Sequence, residues 1–468
     1  MTAPAWRDGF EAWARPLAAK GDVPGMGVAV AREGRLLSMH GLGARDRESG
    51  APITLDTVFG IGSVTKSFTA VALLQLQERG LLRLEDPVGR HLPGLRLPAL
   101  DDIRISHLLT HSAGLPPLDT IMPSMLTSLR QDPGVAADMG LPEERTRDMA
   151  PLETPEALIA YLSGLDMRPI GAPGEVFSYS NDSYALAGAI IERVAGEAYE
   201  DYLLRHVLGP AGMTRSAIDL DRLGAGDDVA TLYARRGRGP DAKGEVVRSP
   251  LWWQSRAMAP AGFLRSTLGD LLRYLEIFRT GGRVGEARIL SRESTEAMMG
   301  RYLPCEPGSW YGYGLVTTPG HAGVTLVGHG GAIKGVAAEI LLVPERGLTA
   351  VGLANLAGAP TGRVVLGILN ASLGLDPDTP KVELATLDGV DADIAGTYGS
   401  DEGATVEVQA DGARVTVVSA GERHEARRVG EGVYAIRREG GESLLRFLRV
   451  AGEPAVQAGY RVLRRTEG

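Results

Sequence analysis

The chain has 468 residues, 44% of them hydrophobic and 23% charged, and its formal net charge is −9. These proportions are those of a globular protein and exclude a disordered chain, and at roughly 150 residues per domain the length favours two or three domains. The longest apolar runs are far shorter than the ~20 residues of a transmembrane helix, and no basic stripe stands out. Neither a membrane nor a nucleic acid is therefore expected as a partner.

Cysteine content and the N-terminal stretch bear on the cellular compartment. Cys305 is the only cysteine, which excludes an internal disulfide and a multi-cysteine metal site. Charged residues such as Arg7, Glu11 and Lys20 interrupt the first thirty residues, which therefore lack the apolar core of a signal peptide. These features predict a cytoplasmic protein.

Strand patterns begin and end the first 375 residues, with helical patterns between them. Gly25–Ala31 and Arg35–Met39 read as strands around a tight turn, and Ser63–Arg79 has the clearest helical spacing of apolar residues. Helical patterns continue to about residue 300. After residue 309 the pattern predicts three strands and then a helix: Val324–Val327, Ala337–Val343, Leu348–Ala354 and Arg363–Leu373.

This order predicts an α+β domain over residues 1–375. An antiparallel sheet is built from both ends of the region, helices pack on it, and a helical lobe is inserted. Residues 116–150 stand out within the lobe because they hold five prolines and four methionines. They are either a surface insertion or a flap over a cleft.

The C-terminal part of the chain reads as a separate small domain. Residues 376–391 contain two prolines and four aspartates with little periodicity, which is typical of a linker. Residues 392–468 then show short alternating runs with the turn pairs Asp411-Gly412 and Gly440-Gly441 between them. We predict a small all-β barrel or meander there, with strands over Thr405–Val408, Val415–Val418, Val433–Arg437 and Leu444–Leu448.

The first segment that could carry chemistry is Gly60-Ile61-Gly62-Ser63-Val64-Thr65-Lys66-Ser67. It fails as a phosphate-binding loop because Thr65 stands where the second glycine is needed, and a β-branched side chain there obstructs the backbone around the phosphates. The same residues satisfy Ser-x-x-Lys. If Ser63 begins a helix, Lys66 lies one turn on and on the same face, where a buried amine could serve as its base. On its own the tetrapeptide more often marks a helix start with a solvated lysine.

Two further short motifs follow at a distance. Tyr179-Ser180-Asn181 offers a phenol that can relay a proton and a carboxamide that can hold a carbonyl group, although the same residues also fit a turn before a helix at 184–194. Gly328-His329-Gly330-Gly331-Ala332 lies between apolar strand segments. Its glycines allow close approach to a ligand backbone, or simply form a bulge carrying a surface histidine.

Together, in this order and spacing, the three motifs resemble the serine β-lactamase and penicillin-recognising superfamily. The resemblance is to its class C β-lactamase-like branch, which also contains D-aminopeptidases, D-Ala-D-Ala carboxypeptidases and carboxylesterases. It covers about residues 20–375. Further stretches fit it, namely Ile105–Leu115, Pro260–Thr267 and Tyr311-Gly312-Tyr313-Gly314-Leu315. The C-terminal domain resembles the lipocalin-like barrel of some intracellular peptidases of this group.

The resemblance implies a role for each matching position. Ser63 would be the acylated nucleophile, with Lys66 and Tyr179 as its general base and acid network. The substrate-binding residues would be Asn181, His329, Gly331 and Ala332, the backbone N–H groups of Ser63 and Ala332 forming the oxyanion hole. No metal or cofactor is implied. His107 and His111 have the i, i+4 spacing of zinc ligands, but without the accompanying glutamate or a third ligand they are expected to be structural.

One departure from the family bears on the substrate. Relatives that recognise penicillin usually carry Thr or Ser at the middle of the third motif, where its hydroxyl contacts the substrate carboxylate, and here the residue is Gly330. The loss of such a hydrogen bond costs about 1.5–3 kcal/mol. We therefore expect a serine hydrolase acting on small peptides or amides, including those with D-residues. A carboxylesterase or transacylase, a weak β-lactamase and a silent sensor or scaffold are the alternatives.

The barrel domain carries none of the three motifs. The acylation chemistry is therefore expected not to require it. We expect the barrel to restrict access to the cleft or to form an interface in a homo-oligomer.

Overall fold

The computed structural model describes residues 6–138, 141, 143–223, 228–237, 244–400, 403–412, 414–419, 421–438 and 441–466. Its helices are α1 (Trp6–Lys20), α2 (Thr65–Glu78), α3 (Val88–His91), α4 (Ile105–Leu109), α5 (Leu126–Gln131), α6 (Pro133–Asp138), α7 (Glu143–Asp148), α8 (Pro155–Gly164), α9 (Asn181–Ala195), α10 (Tyr199–Leu203), α11 (Ala259–Gly262), α12 (Leu268–Thr280), α13 (Arg292–Met298) and α14 (Thr361–Leu373). A π-helical turn (Leu204–Leu208) continues α10, and short 3₁₀ turns cover Gly62–Val64, Pro123–Met125, Leu220–Leu223 and Pro344–Arg346.

The strands fall into one large sheet, one barrel and three short pairs. Before the barrel they are β1 (Gly25–Arg32), β2 (Arg35–Gly43), β3 (Phe59–Gly60), β4 (Tyr233–Arg235), β5 (Val246–Arg248), β6 (Arg265–Ser266), β7 (Arg283–Val284), β8 (Ala287–Arg288), β9 (Leu303–Glu306), β10 (Ser309–Tyr311), β11 (Val316–His321), β12 (Val324–Ile333), β13 (Val336–Val343) and β14 (Leu348–Ala354). In the barrel they are β15 (Gly396–Gly399), β16 (Thr405–Asp411), β17 (Arg414–Ser419), β18 (Glu422–Gly430), β19 (Val433–Arg438), β20 (Gly441–Val450), β21 (Glu453–Ala458) and β22 (Arg461–Arg465).

The large sheet confirms the predicted α+β architecture. Its antiparallel strands lie in the order β2-β1-β14-β13-β12-β11-β10-β9, so strands from both ends of the region meet at the β1–β14 pair. Apolar residues of β13 alternate between the two faces. Ala338 and Ile340 join the core beneath the helical lobe, whereas Ala337 and Leu341 pack towards α1 and α14.

Helix α2 lies at the centre of the lobe, and eleven of its fourteen residues are buried. The predicted helix at 63–79 is confirmed with one refinement at its start. A 3₁₀ turn at Gly62–Val64 precedes the α-helix, and Thr65 fixes this turn. The Thr65 hydroxyl donates to the Gly62 carbonyl (2.7 Å) and accepts from the Leu264 N–H (3.2 Å).

The proline-rich segment at 116–150 is largely part of the lobe. It contains α5, α6 and α7, and Met125, Leu126 and Leu129 are buried, the first and last of them in the main core. The expectation of a surface insertion is therefore wrong. Among the described residues of this segment, none lines the cleft at Ser63.

The C-terminal strands β15 to β22 form a closed antiparallel barrel, which confirms the all-β prediction. The four predicted runs fall on β16, β17, β19 and β20, and Gly440 of the second predicted turn lies outside the described residues. The sequence pattern missed the other four strands for local reasons. Strand β15 is Gly-Thr-Tyr-Gly, β18 and β22 are rich in arginine, and β21 contains a proline. Within the described residues, no helix has the length and apolarity needed to cross a membrane.

Candidate active site

Ser63 and Lys66 meet at the start of α2. Ser63 lies in the 3₁₀ turn and Lys66 in the first helical turn, and the lysine is completely buried. The Lys66 Nζ is 3.2 Å from the Ser63 Oγ, 2.8 Å from the Asn181 Oδ1 and 2.6 Å from the Ala261 carbonyl oxygen. Asn181 is one of the residues that the resemblance implied for the site, whereas Ala261 was not identified as a site residue.

This set of partners suits a neutral amine. A neutral lysine has two N–H hydrogens and one lone pair. The oxygens of Asn181 and Ala261 can take both hydrogens, which leaves the lone pair facing the Ser63 hydroxyl. In that state the amine can accept the serine proton.

Electrostatics also favour the neutral amine. Burial lowers the pKa of Lys66 well below its ordinary value, the positive charge of Arg461 lowers it further, and Asp182 acts in the opposite direction. The rings of Tyr179 and Tyr184 lie 4.7 and 5.6 Å from the Nζ and would favour the ammonium form by cation–π attraction. Their effect is smaller than the loss of hydration, so the net direction is downward.

Tyr179 and Asn181 are positioned by the N-terminus of α9. The Ser180 hydroxyl caps this helix by accepting the Ser183 N–H at 3.1 Å, which sets Tyr179 just before the helix and Asn181 in its first turn. The Tyr179 side chain is hydrogen-bonded to Ser63, and burial raises the pKa of this phenol. Tyr179 therefore stays protonated at neutral pH and can pass a proton on, while Lys66 is the better base.

His329, from the third motif, is connected to two residues whose role the motifs did not identify. The Ser180 N–H donates to the His111 Nδ1 (3.0 Å), and the His111 Nε2 lies 3.2 Å from the Tyr311 hydroxyl. That hydroxyl lies 2.8 Å from the His329 Nε2, and the His329 Nδ1 lies 2.5 Å from the Gly330 carbonyl oxygen.

The directions of these bonds follow from the fixed groups at each end. Because His111 Nδ1 accepts a backbone N–H, its Nε2 donates to Tyr311, which can then donate to the His329 Nε2. The remaining His329 nitrogen donates to the Gly330 carbonyl. Each imidazole then carries one proton, and burial lowers the pKa of His329 to about 4.

His329 is thus uncharged at neutral pH. His111 lies beyond the end of α4, which stops at Leu109, so the predicted i, i+4 pair with His107 does not share a helix. Within the described residues, no group of three or more metal-ligating side chains is arranged to hold an ion.

Strand β12 runs directly beside the turn that carries Ser63. A methyl group on Gly331 would overlap the Ile61 carbonyl oxygen and lie 3.0 Å from the Ser63 N, and one on Gly62 would lie 2.6 Å from the Ala332 N. The backbone N–H groups of Ser63 and Ala332 are therefore brought close together. Such a pair can stabilise an oxyanion formed at a carbonyl attacked by Ser63.

The barrel also reaches the site through the turn between β21 and β22. The Tyr460 carbonyl accepts the Tyr179 N–H (2.7 Å), and the Arg461 guanidinium donates to the Tyr179 carbonyl (2.9 Å). The rings of Tyr460 and Tyr179 stack with centroids 5.9 Å apart. The peptide groups on both sides of Tyr179 are thus held by the barrel.

This turn is anchored by the wider contact between the barrel and the hydrolase domain. The Gln457 side chain donates to the Cys305 carbonyl (2.5 Å), and the Val462 N–H lies 3.4 Å from the Ser178 hydroxyl. Ile170 packs with barrel residues in an apolar cluster. A cleft of about 750 Å³ opens beside Ser63, and Tyr179, His329 and Tyr460 line it. No sequence motif indicated Tyr460 or Arg461, because their contacts join segments 280 residues apart.

The close approach at Gly331 gives the first testable prediction. Gly331→Ala should slow labelling of Ser63 by a fluorophosphonate about 100-fold or more, because β12 must move away from the oxyanion-binding N–H groups. Gly164→Ala is the matched control, since a methyl group there meets no atom within 4 Å. A Gly331→Ala protein that is labelled as fast as the wild type would contradict this geometry.

The Tyr460–Arg461 turn of the barrel gives the second testable prediction. Arg461→Ala removes a charge-assisted hydrogen bond to Tyr179 and should slow Ser63 labelling by about 10-fold or more. Arg423 lies in the same barrel, and among the described residues its side chain is bonded only to Gln409, so Arg423→Ala should leave the rate unchanged. Equal labelling rates and equal melting temperatures in all three proteins would show that the turn does not position Tyr179.

Comparison with known proteins agrees with this geometry. The model of the Beta-lactamase family matches residues 10–374. Penicillin-binding protein 4 from Amycolatopsis lactamdurans is 27% identical over 419 residues, which cover 85% of this chain and 98% of that protein.

Solved structures extend the likeness to the barrel. The octameric penicillin-binding protein homologue from Pyrococcus abyssi has a TM-score of 0.70 and 28% identity, over 98% of this chain and 99% of that one. The D-stereospecific amidohydrolase from Streptomyces sp. shares the fold at a TM-score of 0.59 and 23% identity, over 78% of this chain and 97% of that one. The chain therefore belongs to the Beta-lactamase family and is a serine hydrolase.

Proposed function

We propose that the protein hydrolyses small peptides or amides through an acyl-enzyme on Ser63. The observation that carries this proposal is the buried Lys66 amine, whose Nζ lies within hydrogen-bonding distance of the Ser63 Oγ and of the Asn181 and Ala261 oxygens. A serine hydroxyl needs such a base to become an effective nucleophile.

In the proposed acylation step, Lys66 takes the Ser63 proton as the serine oxygen attacks the substrate carbonyl. The N–H groups of Ser63 and Ala332 stabilise the oxyanion. The Tyr179 phenol donates its proton to the leaving nitrogen and regains one from the Lys66 ammonium. The amine leaves, and Ser63 holds the acyl group.

Deacylation repeats these steps with water as the nucleophile. The neutral Lys66 amine takes a proton from the water as the water attacks the ester, and this proton passes to the Ser63 oxygen as it leaves. Asn181 would donate its side-chain N–H to the substrate amide while its oxygen holds Lys66. No metal or cofactor takes part in this scheme.

The third motif favours amides over β-lactams. Recognition of a substrate carboxylate needs positive charge or hydroxyl donors, but His329 is uncharged at neutral pH and Gly330 has no side chain. Tyr460 from the barrel also lines the cleft, so the barrel supplies part of the surface that a substrate would contact. Esters remain a second class, because the same nucleophile and oxyanion site would act on them.

The first experiment tests the nucleophile and its base. Ser63→Ala should lower kcat by about 10³ or more, and Lys66→Ala nearly as much. The double variant should cost little extra, because the two residues act as one unit. Near-full activity of the Ser63→Ala protein would refute the proposed mechanism.

A substrate panel then separates the candidate activities. The kcat/KM values of D- and L-amino-acid anilides, an aryl ester and a chromogenic cephalosporin are compared on the wild type and on Ser63→Ala. The proposal expects turnover of an anilide with kcat/KM well above that of the cephalosporin. A cephalosporin hydrolysed more efficiently than every anilide would favour a β-lactamase instead.

We also infer that the chain forms a homo-oligomer, because the similar protein from Pyrococcus abyssi is octameric and that likeness includes the barrel. Light scattering of the purified full chain tests this inference. A single species of 49.5 kDa would contradict it.

A further inference from the structure

A carboxylate lies beside the third motif at a position that the catalytic scheme does not use. Glu339 on β13 is directly opposite Gly330 on β12 in the strand pairing. A methyl group on Gly330 would lie 2.9 Å from the Glu339 Oε2, and one on Gly362, in the first turn of α14, would lie 3.4 Å from the same atom. The carboxylate therefore occupies the space next to the missing side chain of the motif.

Glu339 is reached from the same cleft as Ser63. Strand β11 pairs with β12 only as far as Gly328, so the edge of β12 at 329–333 is open on that side. The cleft follows this edge from Ser63 and Tyr179 to Glu339 and Gly362. Gly330 lies two residues before Ala332 on β12, a distance of roughly 7 Å along an extended strand. A substrate that extends along β12 from the oxyanion site at Ala332 would therefore reach Glu339, which is opposite Gly330.

The Glu339 carboxylate is half-buried. Within the part of the chain that the structure describes, the Glu339 side chain makes neither a hydrogen bond nor an ion pair. Burial and the nearby Glu306 raise its pKa, Lys381 lowers it, and the net result is a pKa of about 7. A buried carboxylate without a partner is costly, and a cation that reaches it removes that cost.

The other charges along the cleft offset this one only in part. The Arg363 guanidinium is paired with Asp378 at 2.7 Å, and His329 is neutral above about pH 4. Lys381 lines the cleft but forms no ion pair with Glu339 among the described contacts. A substrate carboxylate placed beside Gly330 would thus face the Glu339 carboxylate.

We propose that Glu339 is a specificity-determining residue that accepts an ammonium group of the substrate beside Gly330 and disfavours a carboxylate there. The proposal deepens the proposed function, on which it rests for the path of the substrate along β12. The proposal also explains why residue 330 is a glycine, since any larger side chain there would displace the Glu339 carboxylate.

The test measures binding without turnover. All proteins carry Ser63→Ala, and calorimetry gives the Kd of four ligands built on one D-alanyl frame. D-alanyl-D-alaninamide has an ammonium at its N-terminus, and N-acetyl-D-alanine 2-aminoethylamide has one at the other end. N-acetyl-D-alanyl-D-alaninamide is neutral, and N-acetyl-D-alanyl-D-alanine is anionic.

One of the two cationic ligands should bind about 10- to 100-fold more tightly than the neutral one, and the anionic ligand should bind most weakly. Glu339→Gln should remove both differences while leaving the Kd of the neutral ligand unchanged. Lys381→Met removes a nearby positive charge, so it should act in the opposite direction and lower the Kd of the cationic ligand. A merely structural role for Glu339 would instead weaken all four ligands together.

Identical relative affinities in the Glu339→Gln and parent proteins would overturn the proposal. The test is separate from that of the proposed function. Fluorophosphonate labelling of Ser63 in a Glu339→Gln protein with intact Ser63 reports on the catalytic machinery alone, and its rate should equal that of the wild type. Failure of labelling in the wild type would refute the acyl-enzyme mechanism, while the calorimetry would still decide whether Glu339 binds ammonium.

Discussion

The structure of this site depends on keeping one lysine amine out of water. Lys66 is completely buried, and carbonyl oxygens from two other parts of the lobe, Asn181 and Ala261, take up its hydrogens. The arrangement requires α2 to lie at the centre of the lobe, with the start of α9 and the short helix α11 on either side. Removing a charge from water in this way costs stability, and the proposed role of Lys66 as the base explains why the fold tolerates that cost.

The barrel belongs to the same arrangement. From the sequence, the acylation chemistry was expected not to require the barrel, which was expected to restrict access to the cleft or to form an interface in a homo-oligomer. In the structure the Tyr460–Arg461 turn of the barrel is bonded to both peptide groups of Tyr179, and Arg461 adds positive charge near Lys66. A domain without a catalytic motif can therefore affect the proton transfers by holding one residue and shifting the pKa of another.

The sequence predicted the fold well where apolar periodicity was strong, as in α2, β13 and β14. The family motifs named Ser63, Lys66, Tyr179 and Asn181, and these four residues lie together in the structure. Contacts between distant segments could not be read in this way. Tyr311 and His111 lay in family-like stretches but had no assigned chemistry, and the spacing of His107 and His111 suggested a shared helix that ends too early. Glu339 has no motif at all, because its importance comes from strand pairing with Gly330.

The central claim is that Lys66 is a neutral base, and the pH dependence of Ser63 labelling by a small uncharged phosphonate tests it most directly. Because burial and Arg461 lower the pKa of Lys66, the labelling rate should rise with pH and level off well below the value of 10.5 expected for an exposed lysine. Arg461→Gln removes a positive charge, so it should raise the pKa of Lys66 and move this rise to higher pH. A rate that increases only near pH 10.5, or one that peaks in acid and falls above neutrality, would contradict the account.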